Sequence, residues 1–396
     1  MHERLNLLSP ESLADPYPAY TALRRGPVRQ VDPGGFWALS RHDDVIAALK
    51  NTEAFSSEGF RGATKPAWLG HNPFADSMIA LDPPAHGRLR ALVSRAFAPA
   101  SLTRIEGLVR AFAEATVEAL PLGEEVEWVS NFAIHVPSSV IGTLLGLDCA
   151  LNPLFRRWAD DLTSITVVTP EQGARMSAIS ASVREAEQYM TEVLISRRRR
   201  PGDDMVSDLL AARVDGQALT DAEIMSFMFL LLVGGLETTV HLLNHTTREL
   251  IARPELFTRV RADLSLLPRL LDEVLRYEPP VRGIYRLTTR EVEVGGAQIP
   301  RGAKVLVLIG SAARDEAHLL DADRFDIDRA SVTNLPFGHG IHFCIGAALA
   351  RLEARLVFTA LLPKIRGLSA AGPVKWRRSL SVRGPESMPV VAHPMR

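Results

Sequence analysis

From residue 83 to about residue 277 the spacing of apolar and polar positions is helical almost without interruption. It predicts helices over 84–96, 101–120, 131–145, 153–163, 173–199, 204–213, 220–251, 254–265 and 268–277. The longest, 220–251, opens on Leu219-Thr-Asp-Ala-Glu223, where Thr220 can cap the helix and Glu223, three residues on, can complete a capping box. Ahead of this block the pattern predicts a helix near 19–25 and a strand pair, 28–31 with 36–39, turned at Asp32-Pro-Gly-Gly35. A short helix over 43–50 follows. Between Phe55 and Ile79 periodicity dissolves into Gly, Pro, Asn and scattered aromatics, which reads as one long loop. β-type sequence returns in a hairpin around Gly295-Gly296, a buried strand from Lys304, and a closing pair formed by 374–380 with 389–392. The fold class expected is mainly α with small β-sheets.

Composition changes this picture little. The 396 residues are 46% hydrophobic and 23% charged, enough for a large core. No Ser/Gly/Pro-rich linker or internal repeat divides the chain, so 1–396 is expected to be one domain. A net charge of −1 argues against a broad polyanion-binding role. The one strongly basic run, Arg197–Arg200, precedes Pro201-Gly202 and so reads as a helix C-terminus rather than a nucleic-acid site. Two cysteines make no disulfide framework and suit a reducing cytoplasm. The N-terminus lacks the apolar core of a signal peptide, and the apolar run 224–236 falls short of the ~20 residues that span a bilayer.

The chemistry concentrates in Phe337-Gly-His-Gly-Ile-His-Phe-Cys-Ile-Gly346. Cys344 lies between a glycine-rich turn and the helix-forming run that starts at Ala347, where the helix dipole and free N–H groups favour a thiolate. Such a group serves as a nucleophile or as a metal ligand. A phosphate loop fits poorly, because Phe343 stands where G-x-G-x-x-G needs glycine. The other cysteine, Cys149, reads as a small buried hydrophobe.

This run resembles, without a mismatch, the haem-binding signature Phe-Gly-x-Gly-x-His-x-Cys-x-Gly of the cytochrome P450 family. The order of elements resembles that fold over essentially the whole chain. The resemblance implies haem b between the long central helix and the cysteine loop, with Cys344 as the axial ligand of the iron and Phe337 and Gly338 beside it. It implies that His86, Arg90, Arg286 and His342 hold the two haem carboxylates, which need charge-assisted donors when buried. Glu273 and Arg276, one helical turn apart, match the family's buried Glu-x-x-Arg pair. As a surface pair they would contribute a few tenths of a kcal/mol; buried, loss of one partner would cost ~3–5 kcal/mol.

Gly234-Gly-Leu-Glu-Thr-Thr239 places two glycines inside a helix at a cost of ~1 kcal/mol each, a sign of close approach or a local bulge. It resembles the family's oxygen-activation motif. Thr238 would then stand beside dioxygen and Glu237 would relay protons from solvent. Gly234 replaces the commoner alanine, and Leu236 stands where a polar residue is frequent. His241 and His245, four apart, have a spacing that can grip zinc, but without the H-E-x-x-H glutamate they read as satisfied histidines on a packed helix.

The function so implied is a soluble, cytoplasmic monooxygenase that inserts one atom of O2 into a C–H bond. NAD(P)H electrons would arrive through a separate ferredoxin and ferredoxin reductase, since no flavin or iron–sulfur domain is fused to the chain. The pocket is expected to include the 55–80 loop, Leu230, Val233, Gly234, Ile284 and Val382, which implies a lipophilic substrate such as a terpenoid, steroid or macrocycle. Arg88, Arg95, Arg351 and Arg355 are candidates for docking an acidic ferredoxin. No nucleic acid or membrane partner is expected, and a monomer is. A peroxide-using haem-thiolate enzyme, or a haem sensor or carrier without turnover, is the alternative; the Glu237-Thr238 pair argues against the first.

Overall fold

The computed structural model describes residues 4–94, 97, 99–169, 171–214, 216–330 and 335–395. In chain order the first elements are α1 (Pro10–Ala14), α2 (Tyr17–Arg25), β1 (Arg29–Val31), β2 (Phe36–Leu39), α3 (His42–Lys50), β3 (Phe55–Ser56) and α4 (Glu58–Thr64). Helices then dominate: α5 (Ala85–Ser94), α6 (Pro99–Glu118), a short strand β4 (Glu125–Glu127), α7 (His135–Leu144), α8 (Asn152–Ser164) and α9 (Gly173–Arg199). α10 (Met205–Ala211), α11 (Asp221–Ala252), α12 (Pro254–Ala262) and α13 (Leu267–Tyr277) complete that block. The last part holds β5 (Ile284–Thr288), β6 (Val292–Val294), β7 (Ala297–Ile299), β8 (Lys304–Val307), α14 (Ile309–Ala312) and α15 (Ala347–Leu361). Four strands close the chain: β9 (Ile365–Ala370), β10 (Lys375–Trp376), β11 (Pro385–Ser387) and β12 (Pro389–Pro394).

α11 is the axis of the molecule. Thr220 Oγ1 accepts from the Glu223 N–H at 3.2 Å, and the Glu223 carboxylate accepts from the Thr220 N–H at 2.8 Å, so the capping box is formed. The helix is long and apolar enough by composition to cross a membrane, yet most of its apolar window is buried against α7, α8, α13 and α15. It is a core helix. The largest apolar cluster surrounds it, from Trp128 and Phe132 to Phe229, Leu271 and Phe358.

Arg276 and Glu273 on α13 are completely buried and meet through two bonds of 2.8 Å. Arg276 also donates to the carbonyls of Ala313, Ala322 and Arg324, while Glu273 accepts from the Asp326 N–H and Arg329. Every bond is charge-assisted and the pair pins the long connection ahead of the cysteine loop. The basic run at the end of α9 is likewise structural. Arg197 pairs with Asp204 and donates to the Gly146 carbonyl, and Arg198 pairs with Asp221.

Two expectations change. The 55–79 segment is not one loop, because it contains β3, α4 and 3-10 turns at 73–76 and 78–80. Two glycines in Glu-Gly-Phe-Arg-Gly-Ala-Thr hide the helix from pattern reading. Gly59 is required there by packing: a Cβ would come within 2.3 Å of the Arg286 backbone. The closing strands also pair differently. β12 lies between β9 and β4, and β10 pairs with β11. The remaining strands form a five-stranded sheet, β1-β2-β8-β5-β3, and the expected β6–β7 hairpin.

Candidate active site

The cysteine loop rests on α3. Gly340, at φ +70°, carries no Cβ, and one would stand 2.9 Å from the Leu49 carbonyl. Gly338, at φ +83°, completes a turn in which its N–H donates to the Leu335 carbonyl and the Cys344 N–H donates to the Phe337 carbonyl, both at 2.8 Å. Cys344 therefore projects two residues before the N-cap of α15, Gly346, into an internal cavity. The side chain is accessible within the cavity, yet desolvation by the surrounding protein raises its thiol above the usual cysteine range, against the Gly346 N–H, Arg90 and Arg351, which act in the opposite sense. The helix terminus alone does not ionise it. A bound metal ion would have to displace the proton.

That cavity, about 290 Å³, lies between the cysteine loop and α11. Phe337, Gly338, Cys344 and His342 form one wall, and Leu230, Gly234 and Thr238 the other, with Val281 and Ile284 at the side. Val233 and Val382 are not on its lining: Val233 packs into the main core, and Val382 bridges Val281 through backbone. Met78 and Ile79 line it from the expected 55–80 segment, and Phe97 and Phe227 add apolar wall that the sequence did not single out.

α11 runs through this region as a continuous helix, without a bulge. Its two glycines do different things. A Cβ at Gly235 would stand 2.3 Å from Ile141, so this residue lets α7 approach, whereas a Cβ at Gly234 would meet nothing within 4 Å. The Thr238 hydroxyl faces the cavity and donates to the Gly234 carbonyl at 2.6 Å. Glu237, its neighbour, is buried on the other side of the helix, on the wall of a polar crevice formed with α8 and the C-terminal strands. There Arg377 Nη1 stands 2.9 Å from Glu237 Oε1 and also reaches Asp160. Nothing in the sequence pattern marked Arg377.

The other end of the cavity is cationic. His342 and His86 have ring centroids 4.3 Å apart, and Ser57 Oγ meets His342 Nε2 at 2.9 Å. Burial lowers every basic group here: His342 falls to about 3, with Arg286, His86 and Arg90 adding repulsion, and Arg286 falls to about 10. His86 and Arg90 are lowered as well. Arg286 Nε has no hydrogen-bond partner among the described residues. Asp82, held by Ser56 Oγ at 2.6 Å and the Ser57 N–H at 3.0 Å, is the carboxylate that offsets this charge at Arg286 and His86. One carboxylate leaves the cluster short of negative charge, so it suits a ligand bearing more than one anionic oxygen.

A family model described as cytochrome P450 matches residues 165–366. Cytochrome P450 107B1 of Saccharopolyspora erythraea is 36% identical over 95% of both chains. The chain belongs to the cytochrome P450 family. The 6-deoxyerythronolide B hydroxylase of the same organism is 35% identical, covering 95% of this chain and 96% of its own. Among solved structures, a P450 of Chondromyces apiculatus, CYP109Q5, superposes with a TM-score of 0.89 at 37% identity over the full length of both chains. The protein is thus a P450 monooxygenase by family, helix-rich with small sheets as expected, and such enzymes carry iron protoporphyrin IX held through a thiolate. The residues present fit that group: a cysteine on one wall, glycines that keep its loop low, and a cationic cluster deficient in anions at the edge.

Proposed function

We propose that this P450 inserts one oxygen atom from O2 into a C–H bond of a lipophilic small molecule: RH + O2 + NAD(P)H + H⁺ gives ROH + H2O + NAD(P)⁺. The observation that carries the reading is the placement of Cys344 and Thr238 on opposite walls of one largely apolar cavity. Haem bound there would supply the redox-active iron at which O2 is reduced. Cys344 would hold it from below, with Phe337 and Gly338 beside it. His86, Arg90, Arg286 and His342 would hold the propionates.

Thr238 orients water and protons over the reacting oxygen, and Glu237 supplies them from the polar crevice behind α11. Leu230, Gly234, Val281 and Ile284 exclude bulk water and give the substrate an apolar bed. A terpenoid, steroid or macrocycle fits that lining, and the name of the 6-deoxyerythronolide B hydroxylase supports a macrocycle. Electrons come from NAD(P)H through a separate ferredoxin and its reductase. The ferredoxin docks on the cysteine side, where Arg351 and Arg355 flank a concave patch with Leu271 and Ala348. Arg88 pairs with Glu223, Arg351 with Asp272 and Arg355 with Glu106, while Arg95 lies outside the described residues. One domain, working as a cytoplasmic monomer, completes the reading.

The test is Thr238→Ala with surrogate redox partners and a panel of lipophilic substrates. Haem content and substrate binding are expected to persist while electrons pass into hydrogen peroxide and product per NAD(P)H falls. Unchanged product per NAD(P)H would contradict the role given to Thr238.

A further inference from the structure

The second half of α11 carries a seam that the apolar core does not explain. Glu237, His241, His245 and Arg248, three or four residues apart, lie along one face together with Asn244. Relative exposure of His241, Asn244 and His245 is 2%, 0% and 0%. Oε2 of Glu237, both ring nitrogens of His241, both amide atoms of Asn244, Nδ1 of His245 and Nη1 of Arg248 have no hydrogen-bond partner among the described residues, while Oε1 of Glu237 meets Arg377 Nη1 at 2.9 Å. His245 is thus satisfied at one ring nitrogen only, and His241 at neither, among the described residues. Leaving a polar atom buried and unpaired forfeits its hydration without replacement. A run of them is tolerated where water completes the network.

The surroundings are shaped for these side chains. The residues before β11 pack across the seam: a Cβ at Gly384 would fall 1.9 Å from His241 Nδ1, so glycine there makes room for the ring. The Arg383 carbonyl accepts from His245 Nε2 at 3.0 Å, which fixes the tautomer with Nδ1 free. The His241 and His245 ring centroids are 6.4 Å apart, a separation that a single bridging water can span. At the upper end His241 Nε2 stands 3.8 Å from Glu237 Oε1, and both residues line the polar crevice with Asp160, Arg377 and Glu386. Burial holds the His241 imidazole below the usual histidine value, against the pull of Glu237, so the ring rests neutral with one donor and one acceptor.

We propose that His241 is the relay residue that returns protons from the crevice to Glu237, with Asn244 and His245 anchoring the hydrogen-bonded chain behind it. In each transfer one ring nitrogen takes a proton from crevice water while the other releases its proton to the Glu237 carboxylate. Water exchange then restores the original tautomer, so the net event is one proton moved from solvent to Glu237. The proposal rests on the relay role given above to Glu237 and Thr238.

Two measurements test it. The first needs no turnover: a high-resolution crystal structure should place ordered waters between His241, Asn244 and His245, and a dry seam overturns the proposal. The second uses the haem-loaded enzyme with surrogate ferredoxin, reductase and NADPH and no added substrate, reading hydrogen peroxide released per O2 consumed, in H2O and in D2O. His241→Phe, which removes both nitrogens and keeps a ring, should raise the peroxide fraction several-fold and enlarge the solvent isotope effect. His241→Gln, which restores a donor and an acceptor, should recover part of the loss. Glu237→Gln should match or exceed His241→Phe. If Glu237→Gln uncouples the enzyme and His241→Phe does not, the inference fails and the role of Glu237 stands. If Glu237→Gln behaves as wild type, the relay reading fails and the inference with it. Equal losses in the Phe and Gln variants that track a lowered Tm would assign His241 to packing and overturn the relay.

Discussion

The cationic edge of the cavity shows how much a single side chain can say about an absent partner. Arg286 is buried, lacks a partner at Nε among the described residues and, with burial and Arg90, helps hold the neighbouring His342 down to about 3. Charged hydrogen bonds of this kind contribute about 1.5–3 kcal/mol, so Arg286→Leu is expected to weaken haem affinity by roughly 10–100-fold. Haem transfer to an apo-globin acceptor measures this, and an unchanged transfer rate would contradict the propionate role. At this scale the sequence was legible wherever chemistry follows fixed spacing. Cys344, His342, His86 and Arg90, singled out by spacing, all line one cavity. Ser57, Asp82 and Arg377 were not legible. Their contacts, Ser57 to His342 and Arg377 to Glu237, cross more than a hundred residues of chain and leave no local pattern.

Among elements, α11 gives the clearest contrast, because two adjacent glycines make opposite predictions. Gly235→Ala drives a methyl into the buried Ile141 side chain, which must shift to admit it, and should cost about 1–3 kcal/mol. Ile141→Val in the same chain should recover part of that. Gly234→Ala meets no neighbour and removes a helix-interior glycine, so stability should rise by up to ~1 kcal/mol while the added methyl narrows the cavity over Cys344. Thermal denaturation of the three variants reads the difference; equal Tm shifts for the two alanine substitutions would contradict this packing. Helices with clear caps and long periodicity, α9 and α11 above all, were legible to within a residue or two. α4 was not, because tertiary packing of Gly59 on β5 outweighs its weak local propensity. β9 and β4 were missed for a different reason: their pairing with β12 is long-range, and short strands without alternation carry little signal.

For the molecule as a whole, docking of an acidic ferredoxin against Arg351 and Arg355 predicts first-electron reduction that slows as ionic strength rises. Stopped-flow reduction across a salt series checks it, and rates insensitive to salt would exclude this mode of docking. The central claim is that Cys344 binds haem iron as a thiolate, although desolvation raises the free thiol above the usual cysteine range. The measurement that tests it most directly is the absorption spectrum of the dithionite-reduced protein under carbon monoxide. Thiolate ligation predicts the Soret band at the long-wavelength position from which the family takes its name, lost in Cys344→Ser. A band at the shorter wavelength of a neutral ligand in freshly reduced, haem-loaded protein would contradict it.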